Sequence, residues 1–255
     1  MRIWPSYFVA ITLCFVLTRF IELPNRTVTT VDYLLNIPFI NGYIGTDYVD
    51  GAHWYLTTLV SGIVIYSIIL KFKDKTQCCL LMLWLFLIAV LCVLTAKFIG
   101  FPKEAFKFVY QLLGGEYIPF LVLGNLLRLI DSKSNVFYTI LLGILIIADL
   151  YLTMGFFALV VALFALFITS YALHRKGILL KFKPLVFIGT ISYSIYLIHQ
   201  NIGFIILNNM IAIVGQYYIW MSVLVSLISV TFGFIFYYLV EKPIGILLTR
   251  RKQSE

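Results

Sequence analysis

Long apolar runs recur along this chain between short, often basic loops, and most approach the length at which one helix crosses a bilayer. A hydrocarbon core about 30 Å thick requires roughly 20 residues at about 1.5 Å rise per residue. Candidate spans fall at residues 5–21, 53–70, 77–96, 117–130, 135–148, 153–173, 184–208 and 218–240. Composition agrees with this pattern: 62% of the 255 residues are hydrophobic and 12% are charged, with a mean hydropathy of +1.01. Soluble domains carry about 25% charged residues. The expected fold class is all-α, a polytopic transmembrane helix bundle of about eight spans forming a single membrane domain over residues 1–255.

Charge placement orients the bundle, because Lys and Arg of short loops collect on the cytoplasmic side. With both termini cytoplasmic, fourteen of the 19 basic residues fall inside. The remaining five, Arg19, Arg26, Lys97, Lys103 and Lys107, fall outside. This distribution accounts for the net charge of +8 through anionic inner-leaflet lipid rather than nucleic acid. Cys14, Cys78, Cys79 and Cys92 lie in or beside apolar runs without a CxxC spacing and read as small hydrophobes, with no metal site implied. No A-x-A cleavage site follows the first apolar run, which reads as a retained anchor.

Polar residues inside spans are costly in hydrocarbon and must meet protein or a wet cavity. The stretch ISYSIYLIHQ, residues 191–200, concentrates them. On a helix, Ser192, Tyr196 and His199 share a face, with Tyr193 about 100° away. Helix packing is one reading of this stripe and a hydrated site is the other. His53 and Trp54 read as interfacial, Asp149 as part of a short, wet outer turn joining the fifth and sixth spans, and Glu241 as a local partner of Lys242 or an arginine. Pro243 is expected to stop the last span. The closing GILLTRRK is expected on anionic lipid, with a phosphate-bearing donor as the sharper alternative. The sequence contains no Walker loop, GxSxG elbow, GxGxxG or zinc spacing.

FIGTISYSIYLIHQNI, residues 187–202, resembles the "G-x-I-S-Y-S-x-Y-L-x-H" signature of the integral-membrane acyltransferase-3 family, which includes O-antigen and other polysaccharide O-acetylases. Further stretches follow in the family's order. RIWPSYF (2–8) resembles "R-x-x-P", DGAHWYLTTL (50–59) resembles "W-S-L-x-x-E", EYIPFLVLGNLL (116–127) resembles "F-x-x-G-x-L-L", and YYLVEKP (237–243) resembles "E-x-P".

This resemblance implies transfer of an acyl group, usually acetyl, from a cytoplasmic thioester such as acetyl-CoA to a hydroxyl of a cell-surface glycan or lipid-linked sugar, in a bacterial inner membrane. It gives His199, Tyr193, Ser192 and Glu241 roles in lining or bracing the site, with His199 structural or substrate-orienting rather than the general base, and sets Arg2 and Arg128 toward the donor. It also implies two earlier spans carrying an arginine and the general-base histidine, with Arg2 matching the last arginine of a following "R-x-x-R" turn. Leu59 stands where the family has glutamate. The expectations are therefore the carboxy-terminal portion of such an enzyme, a chain recruiting another histidine, or a non-catalytic scaffold. The alternative of another class is a polysaccharide polymerase or flippase-like protein, for which Arg19 and Arg26 are the outer arginines available to a lipid pyrophosphate.

Overall fold

The computed structural model describes residues 3–21, 23, 26, 28–97, 103–132, 135–174, 182–214 and 218–254, with backbone alone at 95–97, 103–105, 174, 211–214, 218 and 251–254. In chain order the helices are α1 (Ile3–Phe20), α2 (Thr30–Asn36), α3 (Asn41–Ile44), α4 (Trp54–Ile69), α5 (Asp74–Lys97) and α6 (Lys103–Leu112). They continue with α7 (Ile118–Asp131), α8 (Val136–Met154), α9 (Phe156–His174), α10 (Lys183–Val214), α11 (Tyr218–Phe236) and α12 (Lys242–Ser254). Tight 3₁₀ turns at Gly51–His53 and Gly115–Tyr117 lead into α4 and α7. No strand occurs among the described residues, and eight helical stretches there are long and apolar enough to cross a membrane. The all-α, eight-span expectation matches.

Two compact units make up the chain. The first comprises Met1–Trp54 and Lys181–Glu255, and the second Tyr55–Leu180. In the first, α10 packs most extensively on α11. Gly233 makes this possible, since a Cβ there would lie 2.4 Å from Ile195 Cγ1 and 2.9 Å from its Cα. Small residues allow membrane helices to approach this closely, where packing replaces the hydrophobic drive. The polar segment after α1 contains two short helices, and Thr29 and Asp32 close a reciprocal capping box on the first of them, α2. Asn36, fully buried, then donates to Asp47 O (2.9 Å) and accepts from Val49 N–H (3.2 Å), folding residues 47–49 back onto α2.

The second unit has an apolar core built from α5, α7 and α8, including Leu81, Leu85, Ile88, Val122, Leu129, Leu142 and Ile146. Trp84 Nε1 donates to Leu113 O (2.9 Å) and fixes the turn before α7. Gly114 adopts φ +92° there, a left-handed conformation natural to glycine, with Ile118 Cδ1 2.4 Å from where a Cβ would stand.

Three sequence expectations need correction. Asp149 is not in a wet turn: α8 continues five residues past it, and Asp149 is 3% exposed. The break comes at Gly155, whose φ of 85° and ψ of −176° suit a residue without Cβ. Pro243 does not stop the last span. The π turn Tyr237–Glu241 carries α11 into α12, with Lys242 N–H bonded to Tyr237 O, so the widened turn absorbs a proline in the first turn of α12. His53 does not sit at an open interface, being 1% exposed. The basic loop positions Lys133, Arg175, Lys176 and Lys181 lie outside the described residues.

Gly233→Ala is expected to force α10 and α11 apart and cost about 1–3 kcal/mol. The check is a lower temperature for loss of the monodisperse species in detergent.

Candidate functional site

The polar residues of the first unit converge where residues 49–53 meet the middle of α10. Asp50 caps the 3₁₀ turn, its Oδ1 accepting from Ala52 N–H (3.0 Å). Its Oδ2 accepts from Asn201 N–H (3.2 Å) and lies 4.0 Å from Cys14 Sγ. One residue past that turn's middle, His53 Nε2 stands 3.0 Å from Leu197 O. A carbonyl only accepts, so Nε2 carries the proton. Leu197 C=O and Asn201 N–H are an i, i+4 pair of the helix ladder, and two side chains from one short turn engage both of its ends.

Two further bonds complete the clamp. Asn201 Nδ2 donates to Val49 O (2.9 Å), and Tyr196 OH donates to Ala52 O (2.6 Å). Gly51 fits between them because a Cβ there would stand 3.0 Å from Gln200 Oε1. Tyr7 packs edge-on to His53 at 5.2 Å and donates to Asn36 O (2.9 Å), so α1 braces the imidazole from another side. The Tyr196 ring lies near both imidazoles, its centroid 6.1 Å from that of His53 and 6.3 Å from that of His199. His199 Nδ1 donates to Tyr196 O (2.9 Å), which in the neutral ring leaves Nε2 as its basic nitrogen.

The meeting of this turn with α10 also holds acceptors without donors. Buried and without a hydrogen-bond partner are His53 Nδ1, Gln200 Oε1 and Asn201 Oδ1. A buried polar atom left unpaired costs about 1–3 kcal/mol, and such groups mark sites where something else supplies the missing bond.

The sequence-predicted residues separate. His199 belongs to the cluster and is half-buried. Tyr193 is half-buried, donates to Ile3 O (2.8 Å) and stacks toward Tyr196 at 6.5 Å. Ser192 is exposed and its hydroxyl turns back to Gly189 O (2.8 Å). The inward serine is Ser194, fully buried, which donates to Glu241 Oε2 at 2.5 Å. Glu241 therefore braces α10 from the π turn, and no ion pair of Glu241 with Lys242 or an arginine occurs among the described residues. Arg128 belongs to the second unit, where Nε donates to Asn125 Oδ1 (2.8 Å), Nη2 donates to Gln77 Oε1 (2.6 Å), and Asp74 lies 3.7 Å away. Arg2 lies outside the described residues. Asn201 reads from the sequence only as a flank of the broad polar stripe, and neither Asp50 nor Tyr7 stands out there as a site residue. The available signal was Asp50 followed by Gly51, a cap residue and a glycine just ahead of His53 and an apolar run.

Asp50→Ala removes the acceptor of both Ala52 N–H and Asn201 N–H and is expected to cost about 1–3 kcal/mol per orphaned donor. Asp50→Asn keeps one acceptor oxygen and should cost less, and Tyr196→Phe least, at about 1 kcal/mol. Thermal unfolding of the three variants should follow that order.

The acyltransferase-3 profile, described as an acyltransferase domain, matches residues 1–239. The match spans both units, includes Asp50, His53 and the polar turn of α10, and ends two residues before Glu241. No curated protein and no solved structure matches the chain significantly. With eight helices among the described residues able to cross a membrane and a family match over most of its length, this chain belongs to the acyltransferase-3 family of integral-membrane acyltransferases.

Proposed function

We propose that this protein is a membrane O-acyltransferase that moves an acetyl group from a cytoplasmic thioester, acetyl-CoA, to a hydroxyl of a cell-surface polysaccharide or lipid-linked glycan in a bacterial inner membrane. The observation that carries the reading is the set of buried, donorless acceptors His53 Nδ1, Gln200 Oε1 and Asn201 Oδ1 beside His199. A hydroxyl-rich acceptor supplies the donors such a turn lacks, and acyl transfer needs a basic atom to receive the hydroxyl proton. In this scheme the acceptor oxygen attacks the thioester carbonyl and the C–S bond breaks. The departing thiolate takes up the proton released by the hydroxyl.

His199 is assigned to the acceptor hydroxyl, since Nδ1 is held by its own helix and Nε2 is the nitrogen left to act. Its position depends on Tyr196, whose carbonyl holds the imidazole and whose hydroxyl is tied to Ala52. Tyr193 and the Ser194–Glu241 pair brace the same helix. Ser192 has a lining role at most, with its hydroxyl satisfied by Gly189. For the donor, Arg128 lines a groove of about 900 Å³ with Gly124, Asp131, Thr169 and Ser170. Its guanidinium is shared with Asn125, Gln77 and Asp74, so phosphate oxygens would meet a cation already partly neutralised. Arg2 is assigned to the donor on the family resemblance. The excess of Lys and Arg in the loops assigned to the cytoplasm supports a donor on that side.

Membranes carrying the chain, given acetyl-CoA labelled in its acetyl group, are expected to transfer label to glycan. His199→Ala should lower the rate about 10²-fold at unchanged abundance. Full acetylation by that variant would remove His199 from the reaction. Arg2→Ala and Arg128→Ala should each raise the donor concentration needed for half-maximal transfer, and an unchanged dependence would dismiss that arginine as a ligand.

A further inference from the structure

Arg26 is a cation one turn of α10 from the polar cluster, and the reaction as proposed does not use it. It is half-buried, and its guanidinium lies over the Phe204 ring with Cζ 3.8 Å from the ring centroid. Stacking of this kind occupies the flat face of the guanidinium. The edge, where all five N–H donors lie, is left for a partner in the plane. Among the described residues no carboxylate pairs with Arg26, and no group accepts a hydrogen bond from its side chain. Arg19, the other cation of this segment, differs: it donates to Val28 O (3.2 Å) and stands over Phe15.

Phe204 and Gln200 are an i, i+4 pair and share a face of α10. The stacked guanidinium therefore stands one turn along the helix from the unpaired Gln200 Oε1, and His199 lies about 7.5 Å from Phe204 along the axis at about 1.5 Å per residue. Two different demands meet over this short length. The buried acceptors call for hydroxyl donors, and the guanidinium edge calls for an anion, which it binds through paired N–H donors. A neutral sugar answers the first demand alone, and a small inorganic anion the second alone. A sugar carrying a carboxylate or phosphate answers both, with the charge on the residue that holds the reacting hydroxyl or on its neighbour. Charge placement assigns Arg26 to the outer side, where such a glycan lies.

We propose that Arg26 selects an anionic glycan acceptor, its guanidinium edge holding a sugar carboxylate or phosphate while Phe204 fixes the guanidinium plane. This rests on the acyl-transfer reading and names the class of its acceptor. In the test, the full chain in phosphatidylcholine nanodiscs is titrated with methyl glucuronoside, glucose 1-phosphate and methyl glucoside, and binding is read by saturation-transfer NMR. At least one charged sugar is expected to bind about tenfold tighter than methyl glucoside, the equivalent of one charge-assisted hydrogen bond, and the tighter of the two names the anion. Arg26→Gln should abolish that preference and leave methyl glucoside binding unchanged, which separates the site from a folding defect. Arg26→Lys should keep part of the preference. Arg19→Gln, which removes the same charge from the same segment and leaves the Phe204 stack in place, should keep all of it. Equal binding of charged and neutral sugars, no binding of either charged sugar, or a preference that survives Arg26→Gln or falls equally with Arg19→Gln would overturn the proposal. Loss of the preference on adding phosphatidylglycerol would do the same, by making a lipid headgroup the occupant. Labelled-acetyl transfer is measured on the same preparations. Charge-selective binding without transfer counts against the acyl-transfer reading, whereas transfer without charge selection counts against Arg26 alone.

Discussion

The first unit depends on one short turn whose side chains bond to the backbone of a long helix. Asp50 and His53 engage Asn201 N–H and Leu197 C=O, the two ends of a single ladder position. Each group is buried, so each bond carries the desolvation cost of both partners if it is lost. Asn201 and Tyr196 add reciprocal bonds from the helix to the turn. The register of α10 against residues 49–53 is thereby set by polar matching rather than by apolar contact, which in lipid discriminates weakly between registers.

That registration has a chemical consequence. It brings two imidazoles within about 6 Å of one tyrosine ring and leaves three buried acceptors, of which one is the unprotonated nitrogen of His53. A scaffold that satisfied every polar atom here would have no use for an incoming donor. The Ser194–Glu241 bond holds the next stretch of α10 from the π turn, a type of irregularity frequent at functional sites.

The legible part of the site was the stretch around residues 187–202 and its closing glutamate. Both Ser192 and Ser194 sit in ISYSIYLIHQ, and helical spacing from His199 favours Ser192. In the structure that face turns outward at Ser192, and Ser194 points in. The choice rests on which flank of α10 the neighbouring elements occupy, which periodicity within one helix cannot report. His53 beside Trp54 read as interfacial because the polar segment before it gave no sign of folding back. Asn36, at the end of a seven-residue helix, brings residues 47–49 into the interior by bonds to carbonyl and amide groups. Asp149 read as a wet turn because charged residues usually break apolar runs, whereas the helix continues to Gly155, the residue able to adopt the required positive φ.

From the amino-acid order alone came the helical class, the number of spans, the asymmetry of charge and the family resemblance. These follow from length, hydropathy and local spelling, and each is a property of neighbours along the chain. Tertiary structure alone decided that Asp50 and His53 clasp α10, that Ser194 rather than Ser192 meets Glu241, and that Asp149 is sealed beside an apolar cavity. The partners in those contacts lie between 47 and 151 residues apart where hydrogen bonds define them. A polar group buried in a bilayer must find its partner wherever the fold supplies one, and that pairing has no signature in local sequence.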